Sequence, residues 1–396
     1  MHENTQPPFA DRVACTRATL ERNRHAGPMP GPAPTRAPLA LHRRLPGYQA
    51  TPLIDAAPLA EVLGIGRLWL KDETERLGLP SFKVMGASWA AIRALSSHSG
   101  EDLSELETVE AIAQRVARLR PLTLAAATDG NHGRALARVA VLLGLDARIF
   151  VPAKMVHARI EAIAGEGAEV VRVDGSYDDA VARAARAAGP RCLVVSDTSW
   201  PGYQAIPHAA IEGYSTILWE VADELKRRGD PPADLVLVQL GVGAFGAAVA
   251  RHVRHAYGSS TRIVGVEPLA ADCVRASLAA GRVVTTQTTG TIMSGLDCAT
   301  PSAVAWPYLA AGLDAVLAID DAVAVDGVRR LASMDVIAGE CAGAAAGALA
   351  HLVGDEAARD DLGIDRDTRA LLFLTEGATD PEAIEWILAR PEQRPV

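Results

Sequence analysis

From Tyr48 onward the chain alternates between short continuous apolar runs and longer stretches in which apolar residues recur every three or four positions. This alternation predicts a parallel α/β architecture, because strands covered by helices on both faces read as unbroken apolar segments. The strand runs are RLWLK from Arg67, LTLAAAT from Leu122, ARIFVP from Ala147, EVVRVD from Glu169, CLVVSD from Cys192, DLVLVQL from Asp234, RIVGVEP from Arg262 and ALLFLT from Ala370. Helical stretches fall between them, among them GRALARVAVLLG from Gly133, ARIEAIAGEG from Ala158, YDDAVARAARAAG from Tyr177 and AFGAAVARHVRHAYG from Ala244. Glycines close several of these, as helix C-termini favour. Residues 1 to 45 are rich in Pro, Arg and Ala without a sustained apolar period, which predicts an irregular surface arm.

Ligands of open parallel sheets bind at the carboxyl ends of the strands, so the strand-to-helix junctions carry the functional reading. One is ATDGNHGR, a tight polar turn holding Thr128, Asp129, Asn131 and His132. A second is LGVGAFG, with Gly241, Gly243 and Gly246 opening a helix after a buried strand, a pattern suited to an anion such as phosphate. A dinucleotide fold is the first alternative for that loop. It lies in the second half of the chain, however, and no clear acidic strand-end residue follows it about twenty positions on. The third junction, SDTSWPGY, carries Asp197, Trp200 and Tyr203, and the fourth, LTEGATDPE, carries Thr375 and Glu376. Earlier in the chain, KDETERLGLPSFK places the Lys83 ammonium just ahead of a small-residue run that opens a helix.

Composition narrows the function classes. The chain of 396 residues is 49% hydrophobic, enough for one large domain or two moderate ones. Its 39 Lys and Arg against 48 Asp and Glu leave a formal charge of −9, which argues against nucleic acid as a partner. No apolar run reaches membrane-spanning length and no secretion-signal pattern opens the chain, so a cytoplasmic protein without a membrane partner is expected. The five cysteines are spread singly, so neither a disulfide scaffold nor a metal site is expected.

A lysine near one strand end, an amide-bearing turn near another and a glycine-rich anion loop near a third are together what pyridoxal 5'-phosphate requires. With the motifs KDET-R-GL--FK, ATDGNHGR, DTSWPGY, GVGAFG, VEP, TIMSGLDC and TEGATDPE, the chain resembles the fold-type II (tryptophan synthase β-like) pyridoxal phosphate enzymes, and within them the diaminopropionate ammonia-lyase family. Asp129 is its sharpest marker, since threonine dehydratases and cysteine synthases of the wider group carry Ser there. The resemblance implies two open, twisted, mainly parallel α/β sheet domains with the cofactor in the cleft between them. The large one spans residues 46–85 and 209–396, and a smaller mobile one spans 86–208. It also implies a homodimer acting on a small amino acid. Lys83 is then the Schiff-base lysine and Asn131 contacts the ring hydroxyl. The amides of Gly241, Val242, Gly243, Ala244 and Phe245 hold the phosphate, and Thr375 faces the pyridine nitrogen. Asp129 and Asp197 match two active-site aspartates, the first a base toward the D isomer and the lysine toward the L isomer.

Each residue has a plainer reading beside this one. Asp129 can cap the following helix, Asp197 can be a turn residue, His132 can pack or hydrogen-bond structurally, and Glu340 can be a helix-start carboxylate. Three features depart from the family pattern: GECAGAA around Cys341, Asp297 in TIMSGLDC, and Pro201. They leave open a serine or threonine dehydratase-like elimination, or a β-replacement on another amino acid. A catalytically silent ligand-binding protein is the reading from a different class, against which the intact lysine and glycine loop count. Cys273 and Cys298 fall in two motifs that the resemblance brings close in space, although a disulfide is unusual in a reducing compartment.

Overall fold

The computed structural model describes residues 16–128 and 130–389. Its eleven strands are β1 (Ala18–Arg22), β2 (Leu53–Asp55), β3 (Arg67–Asp72), β4 (Thr123–Ala127), β5 (Asp146–Pro152), β6 (Glu169–Val173), β7 (Cys192–Val194), β8 (Leu235–Gln239), β9 (Arg262–Pro268), β10 (Ala315–Ile319) and β11 (Arg369–Leu374). They form a seven-stranded sheet, ordered β1-β10-β9-β8-β11-β3-β2, and a four-stranded sheet, ordered β6-β5-β4-β7. The small sheet is parallel throughout, and in the large one only the edge strands β1 and β2 run antiparallel. All eight strand runs expected from apolar patterning are strands, and β8 and β10 are buried along their whole length, as central strands covered on both faces must be.

Of the first 45 residues, 1–15 lie outside the described residues, and the rest are not wholly irregular. Ala18–Arg22 adds an edge strand to the large sheet, pairing Leu20 with Leu317, and Ala37–His42 forms a short helix. Asn23 fastens the turn between them by donating to the carbonyls of Ala310 and Leu313 at 2.7 and 2.6 Å. A strand five residues long with mostly half-exposed positions has no core-facing period strong enough to read in isolation.

Two helices bring the sheets together. The Lys83–Ser99 helix leaves the large-sheet side directly after β3 and its following loop, and it crosses the long Ala205–Arg228 helix. The crossing is close because Gly213 has no side chain: a Cβ there would come within 2.5 Å of the Met85 carbonyl oxygen. The first turn of the Lys83–Ser99 helix is therefore held against its neighbour by backbone-to-backbone packing at Met85 and Gly86.

Below that turn lies a buried ionic cluster. Arg76 binds Glu73 at 2.5 Å and Glu220 at 2.7 Å, and Lys71 Nζ lies 2.6 Å from Glu220, with every side chain at most 3% exposed. Two cations and two carboxylates cancel, and Thr51 and Tyr48 add a second donor at Glu73 Oε1 and Glu220 Oε1, at 2.7 Å each. Burial alone would raise the Glu220 carboxyl, but hydrogen bonds and charge from Arg76, with Lys71 beside it, hold it down at about 2. The cluster pins the loop between β3 and Lys83 to the Ala205–Arg228 helix, so the part of the KDETER motif that forms it is a structural support. Glu220→Ala should cost about 3–5 kcal/mol, because it leaves two buried cations facing the single carboxylate of Glu73. Urea unfolding reads this as a lower midpoint with unchanged slope, and an unmoved midpoint would show that the cluster does not hold the loop.

Candidate active site

The carboxyl ends of β4, β7, β8 and β11 open on one cavity of about 400 Å³ that lies between the two sheets. Lys83 reaches into it from the first position of its helix, where a cation gains nothing from the helix dipole. What holds the ammonium is Asp197, whose Oδ2 accepts from Nζ at 2.8 Å across the gap between the sheets. Burial pushes the Asp197 carboxyl up, yet the charges of Lys83 and His132 outweigh it and leave the group well below the ordinary carboxylate range. The Asp197 carboxylate is thus ionised at neutral pH. The sequence has four lysines: Lys71 is consumed in the buried cluster, Lys154 and Lys226 are exposed, and Lys83 is half-buried in the cavity.

His132 stands behind the aspartate. Its Nε2 donates to the Val195 carbonyl at 2.8 Å, which fixes the ring, and Nδ1 lies 3.9 Å from Asp197 Oδ2. This makes it a support for Asp197, in line with its packing role. Asn131 opens the Asn131–Leu143 helix and donates from Nδ2 to Glu376 Oε2 at 2.7 Å. Asp129, in the same turn, lies outside the described residues.

Pyridoxal phosphate, the group implied by the resemblance, fits these residues. The Ala244–Tyr257 helix has no side-chain N-cap, which leaves its first amides for an anion. Gly243 holds φ +88°, a left-handed conformation that suits glycine. A Cβ at Gly241 would come within 2.9 Å of the Gly295 carbonyl oxygen and 3.2 Å of Cys298 Sγ, so only glycine fits the approach. Thr375 Oγ1 is buried at the cavity with no hydrogen-bond partner among the described residues, the state expected of a hydroxyl waiting for a ring nitrogen. Phe82, Tyr214, Phe245 and Phe373 pack ring to ring around the Lys83 end of the cavity at 4.5 to 5.8 Å between centroids.

Two groups were not singled out for the site from sequence. Glu376 lines the cavity and takes Asn131 on one oxygen and, at 3.4 Å, the Cys341 amide on the other. Arg159, from the His157–Gly165 helix beside the small sheet, donates to Ser294 Oγ at 2.5 Å on the opposite side of the cavity. Glu376 lies in the TEGATDPE junction, but its partnership, like that of Arg159, spans more than a hundred positions and has no local signal. Glu340, buried at the start of its helix, is pushed up to about 8 by burial and then by the neighbouring Glu376 charge. Cys273 and Cys298 are not joined to each other by a disulfide. Among the described residues no group of His, Cys, Asp and Glu could hold a metal, and no helix is long and apolar enough to cross a membrane.

Comparison with known proteins agrees with this geometry. The family described as pyridoxal-phosphate dependent enzyme matches residues 44–376. The diaminopropionate ammonia-lyase of Salmonella typhimurium is 33% identical over 88% of this chain and 90% of its own. The crystal structure of diaminopropionate ammonia-lyase from Escherichia coli in complex with D-serine superposes with a TM-score of 0.88 at 29% identity, covering 95% of this chain and 98% of that one. The same Escherichia coli enzyme with an aminoacrylate-PLP azomethine reaction intermediate superposes with a TM-score of 0.87 at 30% identity, with the same coverage. A tomato threonine deaminase, at a TM-score of 0.71 and 20% identity over 94% of this chain and 96% of its own, shares the fold.

Proposed function

We propose a function that proceeds from one premise: the chain belongs to the pyridoxal-phosphate dependent enzymes and, within them, to the diaminopropionate ammonia-lyase family. It eliminates ammonia across Cα and Cβ of 2,3-diaminopropionate, and the 2-aminoacrylate released hydrolyses to pyruvate and a second ammonia. Pyridoxal phosphate, when bound, supplies an aldehyde that links to amines and a ring that withdraws electrons from Cα. Lys83 holds it and takes the Cα proton of the L isomer. Asn131 reaches the ring hydroxyl, Thr375 meets the ring nitrogen, and the amides from Gly241 to Phe245 bind the phosphate. The resemblance gives Asp129 the Cα proton of the D isomer.

The observation that carries the substrate assignment is the pair of nearly buried carboxylates lining the cavity, Asp197 and Glu376. A diamino acid brings a β-ammonium, which such carboxylates attract and orient, whereas the β-hydroxyl of serine gains less from them. Once Lys83 is committed to the cofactor, Asp197 is released to face that cation. A second reading, dehydration of serine or threonine or a β-replacement, is favoured by Asp297 and Cys341, which line the cavity where the family pattern differs. On the first reading, the segment 86–208 closes over the substrate as a unit, and the working form is a cytoplasmic homodimer, as is usual in enzymes resembling this one.

Pyruvate release from 2,3-diaminopropionate should exceed that from serine, threonine and O-activated serines, and a preference for serine would overturn the substrate assignment. Purified protein with cofactor should show visible absorption. Lys83→Ala should lose both that band and about a thousandfold or more of the turnover, while a wild type that stays colourless would remove the lysine from its role. Asp129→Asn should abolish turnover of the D isomer and spare a measurable part of the L. Equal loss for both isomers would move Asp129 to the leaving group or to binding.

A further inference from the structure

Contacts from both sheets meet on Glu376, which follows β11 and is 6% exposed. Its backbone is stitched to the segment ahead of Lys83: Glu376 pairs with Ser81 in an isolated antiparallel bridge, and the Gly377 amide donates to the Pro80 carbonyl at 2.9 Å. Its stem is packed by the start of the Glu340–Gly354 helix, since a Cβ at Gly339 would come within 2.9 Å of Glu376 Cγ. Oε1 accepts from the Cys341 amide in the first turn of that helix, where the dipole favours a carboxylate. The other oxygen, Oε2, takes Nδ2 of Asn131 at 2.7 Å from the small-sheet side.

That last contact settles an ambiguity in the amide. An asparagine side chain has two edges of nearly equal shape and opposite polarity, one donating N–H and the other accepting. Turned over, Asn131 would fill the same space and offer a ligand the wrong edge. A carboxylate decides between them because it only accepts, so Nδ2 faces Glu376 and Oδ1 faces away. Nδ2 carries two N–H groups, and Glu376 uses one. The second is left for the ring hydroxyl of pyridoxal phosphate, where an N–H stabilises the ionised oxygen and a carbonyl oxygen would repel it. Glu376 is itself a negative group lining the same cavity, and charge alone acts in the opposite sense, disfavouring the ionised hydroxyl. Orientation and charge therefore predict effects of opposite sign.

We propose that Glu376 is a positioning residue for the cofactor: it fixes the Asn131 side-chain amide so that an N–H, and not the carbonyl oxygen, meets the ring hydroxyl. The proposal rests on the reading that Asn131 serves that hydroxyl. The segment from Thr375 to Gly377 also carries the threonine assigned to the ring nitrogen and braces the approach to Lys83. Contacts to three parts of the cofactor are thus set from one short stretch of chain.

The test uses pyridoxal phosphate and 3-deoxypyridoxal phosphate, which lacks the ring hydroxyl. Cofactor-free wild type, Glu376→Gln, Asn131→Ala and the double variant are titrated with each, and absorption spectra are recorded. No substrate is present, so a role of Glu376 toward the substrate cation does not enter. Glutamine has the size of glutamate but meets either edge of the Asn131 amide, so the choice of edge is lost. The preference for pyridoxal phosphate over the analogue should fall about tenfold in Glu376→Gln, the worth of a hydrogen bond to a charged group, while binding of the analogue changes little. Absorption should move from the long-wavelength band of the ring phenolate to the short-wavelength band of the neutral phenol. Glu376→Asp, which keeps an acceptor-only group, should retain part of the preference. Asn131→Ala should lower the preference at least as far, and adding Glu376→Gln to it should lower it no further. An equal loss with both cofactors would make Glu376 a brace of the cleft, and a shift toward the phenolate band would show that only its charge acts; either result overturns the proposal. If Asn131→Ala lowers the preference and Glu376→Gln does not, Asn131 keeps its role and the proposal fails. If Asn131→Ala leaves the preference unchanged, the assignment of Asn131 to the ring hydroxyl falls, and the proposal with it.

Discussion

The contact on which the site depends is the 2.8 Å ion pair between Lys83 and Asp197. One partner begins the helix that leaves the large-sheet side, and the other follows the last residues of β7 in the small sheet. A buried ion pair contributes little net stability, because desolvation offsets much of the attraction. Its value here is positional. It holds an ammonium at a helix start, where the dipole opposes it, and it keeps a carboxylate charged at a depth where burial would otherwise neutralise it. On the proposed reading, the lysine's change of partner leaves a preformed anion facing the substrate, with no proton to be removed first.

Everything beneath the pair serves to keep it in place. The Lys71–Glu73–Arg76–Glu220 cluster locks the approach to Lys83, and the glycine contact at Gly213 sets the height of its helix. His132 is tied to Val195, which stabilises the far side of Asp197. The supports are buried, whereas the cavity is bridged by single polar contacts, Asn131 to Glu376 and Arg159 to Ser294. That division fits a site that must open to admit substrate while its chemical groups stay fixed.

How much could be read from sequence follows from how local each signal is. Lys83, the Gly241–Phe245 loop and the Asn131 turn were legible because each is a short motif at a strand-to-helix junction, and the fold's alternation was legible from eight apolar runs. The role of the KDETER segment was not, because its charges are completed by Glu220, 144 positions beyond Arg76. Arg159 has the same difficulty, as does the partner of Glu376, a residue whose junction was legible: their contacts lie 135 and 245 positions away. β1 was missed because an edge strand is defined by its neighbour more than by its own period, and β10 because five apolar residues, Ala315 to Ile319, fit a buried helix as well as a strand.

The central claim is that one lysine of the four in this chain carries the cofactor because the fold has placed the others elsewhere: one inside a neutral ionic cluster and two in water. The most direct measurement is borohydride reduction of the cofactor-loaded protein, followed by proteolysis and mass spectrometry of the lysine peptides. The account predicts a single pyridoxyl adduct on the peptide that carries Lys83. An adduct on Lys71, Lys154 or Lys226, or none at all, would contradict it.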